Sequence, residues 1–181
     1  MKAIAACATV VTVFLAASPS VGGEQTKMPK EVQQYLQGWA GEYNIEGTWG
    51  DTPVKGRLSA RLSRGRHANL YDWSFKMGDK DLHISTVEGW DAAGGWTIEQ
   101  GVASDGEIFT THWSKKADSM WVGESKGVVE GQSTSSRVSI EKTPDGFTAK
   151  VTESKRGSTT LPDMQLKYTR LAEKTKGASK D

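Results

Sequence analysis

Cysteine is nearly missing from this 181-residue sequence; the single one, Cys7, falls within the first ten residues. Beyond it the chain can have no disulfide and no thiolate metal site, so a domain there must be held by its core. Histidine is also scarce. His67, His83 and His112 are the only three, and their separations fit no compact metal motif. Neither sign of charge is in excess, with 23 basic and 22 acidic residues, which excludes a bulk polycation for nucleic acid. Long apolar runs are confined to the start of the chain, and a mean hydropathy of −0.54 excludes a polytopic membrane protein.

What is present begins with that apolar run. Met1-Lys2 precedes Ala3 to Ala17, in which only Thr9 and Thr12 are polar. One positive charge, a short apolar stretch and then Ser18, Ser20, Gly22 and Gly23 is the layout of a secretory signal peptide. The run is shorter than the ~20 residues a spanning helix needs. The expectation is a signal peptide over 1–23, cut after Gly23 or Ser20, and a mature protein in the periplasm or outside the cell without stable membrane insertion. Loss of Lys2, with no acid, leaves basic and acidic residues equal in number. Cys7 precedes most of the apolar run, too early for a lipoprotein anchor.

From Pro29 the spacing turns helical. Val32, Tyr35, Leu36 and Trp39 fall at i, i+3, i+4 and i+7, which predicts one short amphipathic helix sealing its apolar stripe against a domain. Beyond it the period is two. Val54, Gly56, Leu58, Ala60 and Leu62 alternate with polar residues, and Tyr71, Trp73, Phe75 and Met77 do the same. Further alternating stretches follow at 82–90, 96–102, 107–114, 120–129, 137–142, 147–153 and 164–171. Gly78-Asp79, Asp105-Gly106 and Pro144-Asp145-Gly146 supply turn chemistry between them. With Trp39 to Thr48 this makes about ten strands. The predicted fold is all-β: an antiparallel up-and-down meander over 29–171, closed into a barrel that removes its edges, with a polar tail at 172–181.

Several short motifs sit on that pattern: Trp39-Ala40-Gly41-Glu42-Tyr43 after the helix, Gly89-Trp90-Asp91 with Gly94 following, and Ser104-Asp105-Gly106. Arg137 opens a strand, Asp145-Gly146-Phe147 follows, and Tyr168-Thr169-Arg170 ends the series. On these motifs the chain from Val32 to Leu171 resembles the lipocalin-like domain of bacterial exported proteins, a family largely of unknown function. The resemblance implies a small calycin-like barrel with a lumen and brings no catalytic residue with it. Nitrobindin-like barrels, related in shape, hold haem through a His near the chain end. No His follows His112 here, so haem is not implied and no cofactor or metal is expected.

Candidate site residues come from polar side chains in phase with the apolar ones. Glu88 lies between Ile84 and Trp90, Gln100 between Ile98 and Val102, Thr111 between Phe109 and Trp113, and Glu124 two after Val122. A packed interior excludes an unpaired carboxylate, whereas a wet cavity tolerates one. The leading expectation is a monomeric barrel holding a small amphipathic or apolar molecule. Tyr71, Trp73, Phe75, Trp90, Phe109 and Trp113 would be its walls, and Glu88, Gln100, Thr111 and Glu124 its orienting groups. Two alternatives stand beside it: an enzyme using Glu88 or Glu124 as acid or base, and a packed barrel acting through its surface on an envelope component.

Other features read as scaffold. Gly123-Glu124-Ser125-Lys126-Gly127 matches the Gly-x-Ser-x-Gly hydrolase pattern, but no helical period and no His follow it. His83 and His112 fall opposite the apolar phase and are expected on the surface. Trp121 falls out of the Met120/Val122 phase and Trp49 sits at a strand end before Gly50, which makes the two candidates for an exposed rim that grips a ligand or stacks on sugar. Lys55, Arg57, Arg61, Arg64 and Arg66 form an acid-free basic stretch, read as a solvated face without the aromatic interleaving that nucleic acid requires.

Overall fold

A computed structural model describes residues 27–172. The expected leader at 1–23 and the tail beyond Ala172 lie outside the described residues. The helix forms where its spacing predicts, as α1 (Lys30–Trp39), with Glu31 in the first turn facing the positive end of the helix dipole. It buries Val32, Tyr35, Leu36 and Trp39 and exposes Glu31, Gln33 and Gln34. No described helix is long and apolar enough to cross a membrane.

Eleven strands follow: β1 (Gly41–Trp49), β2 (Thr52–Leu62), β3 (Ala68–Met77), β4 (Lys80–Trp90), β5 (Thr97–Ala103), β6 (Ile108–Ala117), β7 (Met120–Val129), β8 (Gln132–Thr143), β9 (Gly146–Arg156), β10 (Thr159–Thr160) and β11 (Met164–Arg170). Each strand from β1 to β9 pairs antiparallel with the next; β9 then pairs β11, and β11 returns to β1. The result is a closed ten-strand up-and-down barrel, with β10 a two-residue extension beside β9. Closure leaves the ten-strand ring without a free edge.

The two ends of the barrel differ. One end carries the β2–β3, β4–β5, β6–β7 and β8–β9 turns together with α1. There Arg170 fastens the helix: its guanidinium donates to the carbonyls of Ala40 (2.7 Å) and Gly38 (2.6 Å) and to the Tyr43 hydroxyl. These bonds satisfy carbonyls that a helix C-terminus leaves without partners. Tyr43 in turn donates to the Trp39 carbonyl at 3.0 Å. Beneath the helix the core is aromatic. Trp39 meets Phe147 edge-on at 4.2 Å between ring centres, and Phe147 stacks on Tyr168 at 4.2 Å.

On β2, β3, β4 and β6 the inward phase is the one the alternation predicts, with Leu58, Tyr71, Glu88 and Trp113 all buried. On β5 and β7 it is inverted. Thr97, Glu99 and Gly101 point inward, leaving Ile98 and Gln100 on the outer face beside Val102, which is 53% exposed. On β7, Trp121 and Gly123 point inward while Met120, Val122 and Glu124 lie outside. Pairing explains the inversion. Glu99 is registered opposite Glu88, and Gly123 opposite Trp113, so each pair must share a face. The inward glycines make room for neighbouring rings: a Cβ on Gly101 would lie 2.5 Å from Phe109, and one on Gly123 would lie 2.9 Å from Trp113.

Candidate functional site

Each buried polar or charged residue of the described chain faces the barrel interior from four consecutive strands. Asn69 is on β3, Thr86 and Glu88 on β4, Thr97 and Glu99 on β5, and Thr111 on β6. The interior therefore has a polar wall from β3 to β6, with the Trp39, Tyr43, Phe147 and Tyr168 rings elsewhere in the core.

Glu88 and Glu99 are the centre of that wall. Glu88 accepts from the Tyr71 hydroxyl at 2.6 Å on Oε2 and from the Thr97 hydroxyl at 2.5 Å on Oε1. Asn69 ties this network to the helix, its Nδ2 donating to the Leu36 carbonyl at 2.8 Å and to the Tyr71 oxygen at 2.9 Å. Glu99 accepts from the Trp113 indole N–H at 3.1 Å. Among the described residues, five buried side-chain atoms lack a close hydrogen-bond partner: Asn69 Oδ1, Thr86 Oγ1 and the indole nitrogens of Trp73, Trp96 and Trp121.

The electrostatics follow from burial. Loss of water, and then the neighbouring Glu99 charge, push the Glu88 carboxyl up from 4.5 to about 7. Burial raises Glu99 as well. Burial of two neighbouring carboxyls favours the neutral form of each, and the two titrate as a pair. Burial and the same two acids also push the Tyr35 and Tyr71 phenols well above 10.0.

Above the wall, at the helix end, lies a cleft of about 720 Å³. Its aromatic lining is Tyr35, Trp39, Tyr43, Trp96, Trp121 and Phe147. Tyr35 joins the two regions: it lines the cleft, packs on Trp96 and Trp121 (5.5 and 5.0 Å between ring centres), and turns its hydroxyl toward Glu88. At the rim, Lys115 pairs with Glu31 and with Asp118. Lys142 and Asp145 also line the cleft. The volume lies in the ordinary range for small-molecule pockets.

No protein-family model matches this chain, and no curated protein matches it either.

The sequence-predicted residues divide accordingly. Tyr71, Glu88, Thr111 and Trp113 are buried in or beside the polar wall, and Tyr71 is bonded to Glu88. Trp73, Phe75 and Phe109 face inward but not into the cleft, and Trp90 is half-buried at the strand end. Three expectations are corrected. Gln100 is exposed, because β5 takes its register from Glu88 opposite Glu99. Glu124 is also exposed and lies 3.9 Å from Arg137, so it is neither a lumen group nor a desolvated acid. Trp121 is likewise no rim residue, since it is buried and lines the cleft from inside. Gly123 to Gly127 lie within strand β7, with no strand-to-helix turn at Ser125.

Glu99, Thr97, Trp96 and Tyr35 were absent from the predicted set. A signal for Glu99 exists in the hairpin: once Trp90 pairs with Thr97, an inward Glu88 forces an inward Glu99. His67, His83 and His112 are all exposed. Among the described residues no three His, Cys, Asp or Glu side chains gather to hold a metal ion.

Proposed function

We propose that this protein is a small-molecule-binding barrel that takes an amphipathic ligand at its helix-capped end. The observation that carries this reading is the aromatic cleft of about 720 Å³ set over a polar wall, with Tyr35 lining the first and reaching Glu88 in the second. The apolar part of a ligand would lie on Trp39, Trp96, Trp121 and Phe147, gaining affinity from buried area. Its polar group would be selected by the wall beneath. This moves the site from the walls the alternation suggested toward the barrel mouth. A kinship with lipocalin-like exported proteins, and a place in the periplasm or outside the cell, accord with the barrel topology and the apolar leader and belong to the same proposal.

Trp96 and Trp121 make the test direct, because a ligand in the cleft changes their fluorescence. A panel of fatty acids, amines, alcohols and pigments should contain at least one class that shifts tryptophan emission and raises Tm. Trp121→Ala should weaken that ligand by roughly tenfold or more, as loss of an aromatic contact does. A panel without any shift in emission or Tm removes the reading.

A further inference from the structure

The polar wall has a chemistry that narrows the ligand class, and the inference deepens the binding reading above and rests on it. Glu88 and Glu99 face each other across β4 and β5, both buried. The groups that meet them are all neutral: Tyr35 from α1, Asn69 and Tyr71 from β3, Thr97 on β5, Trp113 from β6, with the Tyr168 phenol on β11 also feeling Glu99. Thr86, on β4 itself, turns its hydroxyl toward Glu99, whose ionised form it favours. No Lys, Arg or His among the described residues pairs with either acid; the ion pairs lie elsewhere, at Lys76, His112, Lys115, Arg137 and Arg156. Two buried carboxyls without a cation are costly, and the barrel retains both.

The second, independent observation is a vacant acceptor in the same wall. Asn69 is fully buried, with its Nδ2 committed and its Oδ1 without a donor. Two acids and this unused acceptor oxygen form an acceptor-rich wall, with the Tyr35, Tyr71 and Trp113 rings beside it. That combination suits a positively charged N–H donor, because carboxylates supply charge, oxygens accept its protons, and ring faces attract a cation. The unpartnered indole nitrogens of Trp96 and Trp121 belong to rings that line the cleft, so at the wall itself an anionic headgroup would meet two carboxyls and no cation.

We propose that the barrel takes an amphiphile bearing a protonated amine, with its ammonium group seated against Glu88 and Glu99 and its apolar body in the aromatic cleft. Tyr35 is the residue that must yield, since it occupies the passage between cleft and acids. The ammonium group favours the ionised carboxylates, so affinity rises with pH until the amine itself loses its charge.

The probes are octylammonium, octanoate and 1-octanol, which share one apolar chain, titrated into the full-length protein and read by tryptophan fluorescence. At pH 8, octylammonium should bind roughly tenfold or more tighter than the other two, and it should weaken by roughly tenfold at pH 5. Glu99→Gln should cost octylammonium roughly tenfold while changing 1-octanol by less than about twofold. If that variant does not fold, the pH dependence of the wild-type protein remains decisive. Equal or tighter binding of 1-octanol or octanoate overturns the amine assignment and leaves the small-molecule barrel standing. So does an affinity for octylammonium that is flat between pH 5 and pH 8. Failure of all three probes, while another class from the wider panel binds, overturns it as well; failure of the whole panel removes both.

Discussion

At the scale of single residues, the chemistry gathers at Glu88. Its carboxyl is raised in the folded protein to about 7, whereas an unfolded chain returns it to its ordinary 4.5. The native state therefore holds more protons than the unfolded state between those values, and stability falls as pH rises through that window. At about 1.4 kcal/mol per pH unit, the loss between pH 4.5 and pH 7 is roughly 3 kcal/mol. Urea unfolding of the ligand-free protein should show its midpoint falling from pH 5 to pH 8. Glu88→Gln, which keeps the shape and removes the charge, should flatten that slope and make the variant the more stable protein at pH 8. A midpoint that rises over the same range contradicts the buried pair. Gly101 is a second single-residue test. Gly101→Ala places a methyl group 2.5 Å from Phe109 and 2.6 Å from Thr86, an overpacking that should cost about 1–3 kcal/mol. Combined with Phe109→Ala, its added cost should shrink, as a double-mutant cycle would register.

At the scale of elements, the C-terminal end of the helix is fastened by one side chain from the far end of the chain. Arg170→Ala removes the donors to Gly38 and Ala40 and exposes their carbonyls to compensation by water alone. The expected cost is about 1.5–3 kcal/mol, as for hydrogen bonds from a charged group. Hydrogen exchange should show the loss first in α1, with the β3–β6 amides changed less. The helix and the inward phase of β2, β3, β4 and β6 were legible in the sequence, because Leu58, Tyr71, Ile84 and Phe109 obey the rule that apolar side chains turn inward. Strands β5 and β7 broke the rule for a physical reason. Their inner faces carry Thr97, Glu99, Gly101, Gly123 and Ser125, while Val102 and Val128 look outward at 53% and 51% exposure. Hydrophobic alternation reports which face is greasy, and here the greasy face is the wet one. What would have set the phase was complementarity across strands, with Phe109 opposite Gly101 and Trp113 opposite Gly123. The outward assignment has its own test: Val102→Thr and Val128→Thr should each change stability by less than about 0.5 kcal/mol, whereas inward positions would not tolerate such changes.

At the scale of the whole molecule, position along the barrel separates packing from binding. The cleft lies at the helix end, where Lys115 bridges from β6 to Glu31 on α1 and to Asp118 in the next turn. None of the ten residues chosen by alternation lines it, because the sequence shows which side of a strand is inner but not which end of a barrel stays open. The cleft is made by what α1 leaves uncovered, and that depends on where the helix comes to rest. A ligand spanning cleft and wall should therefore protect α1 from hydrogen exchange more than it protects the β1–β2 turn at the opposite end.

The seam of the ring has a consequence for how the chain is made. β1 finds one of its two neighbours only in β11, more than a hundred residues later, and the same last strand supplies the arginine that clasps the helix. A nascent chain still lacking Met164–Arg170 has bare hydrogen-bonding margins on β1 and β9 and a helix without the clasp at its C-terminal end. A chain released before Met164 would thus be not a slightly shorter barrel but an open, adhesive ribbon.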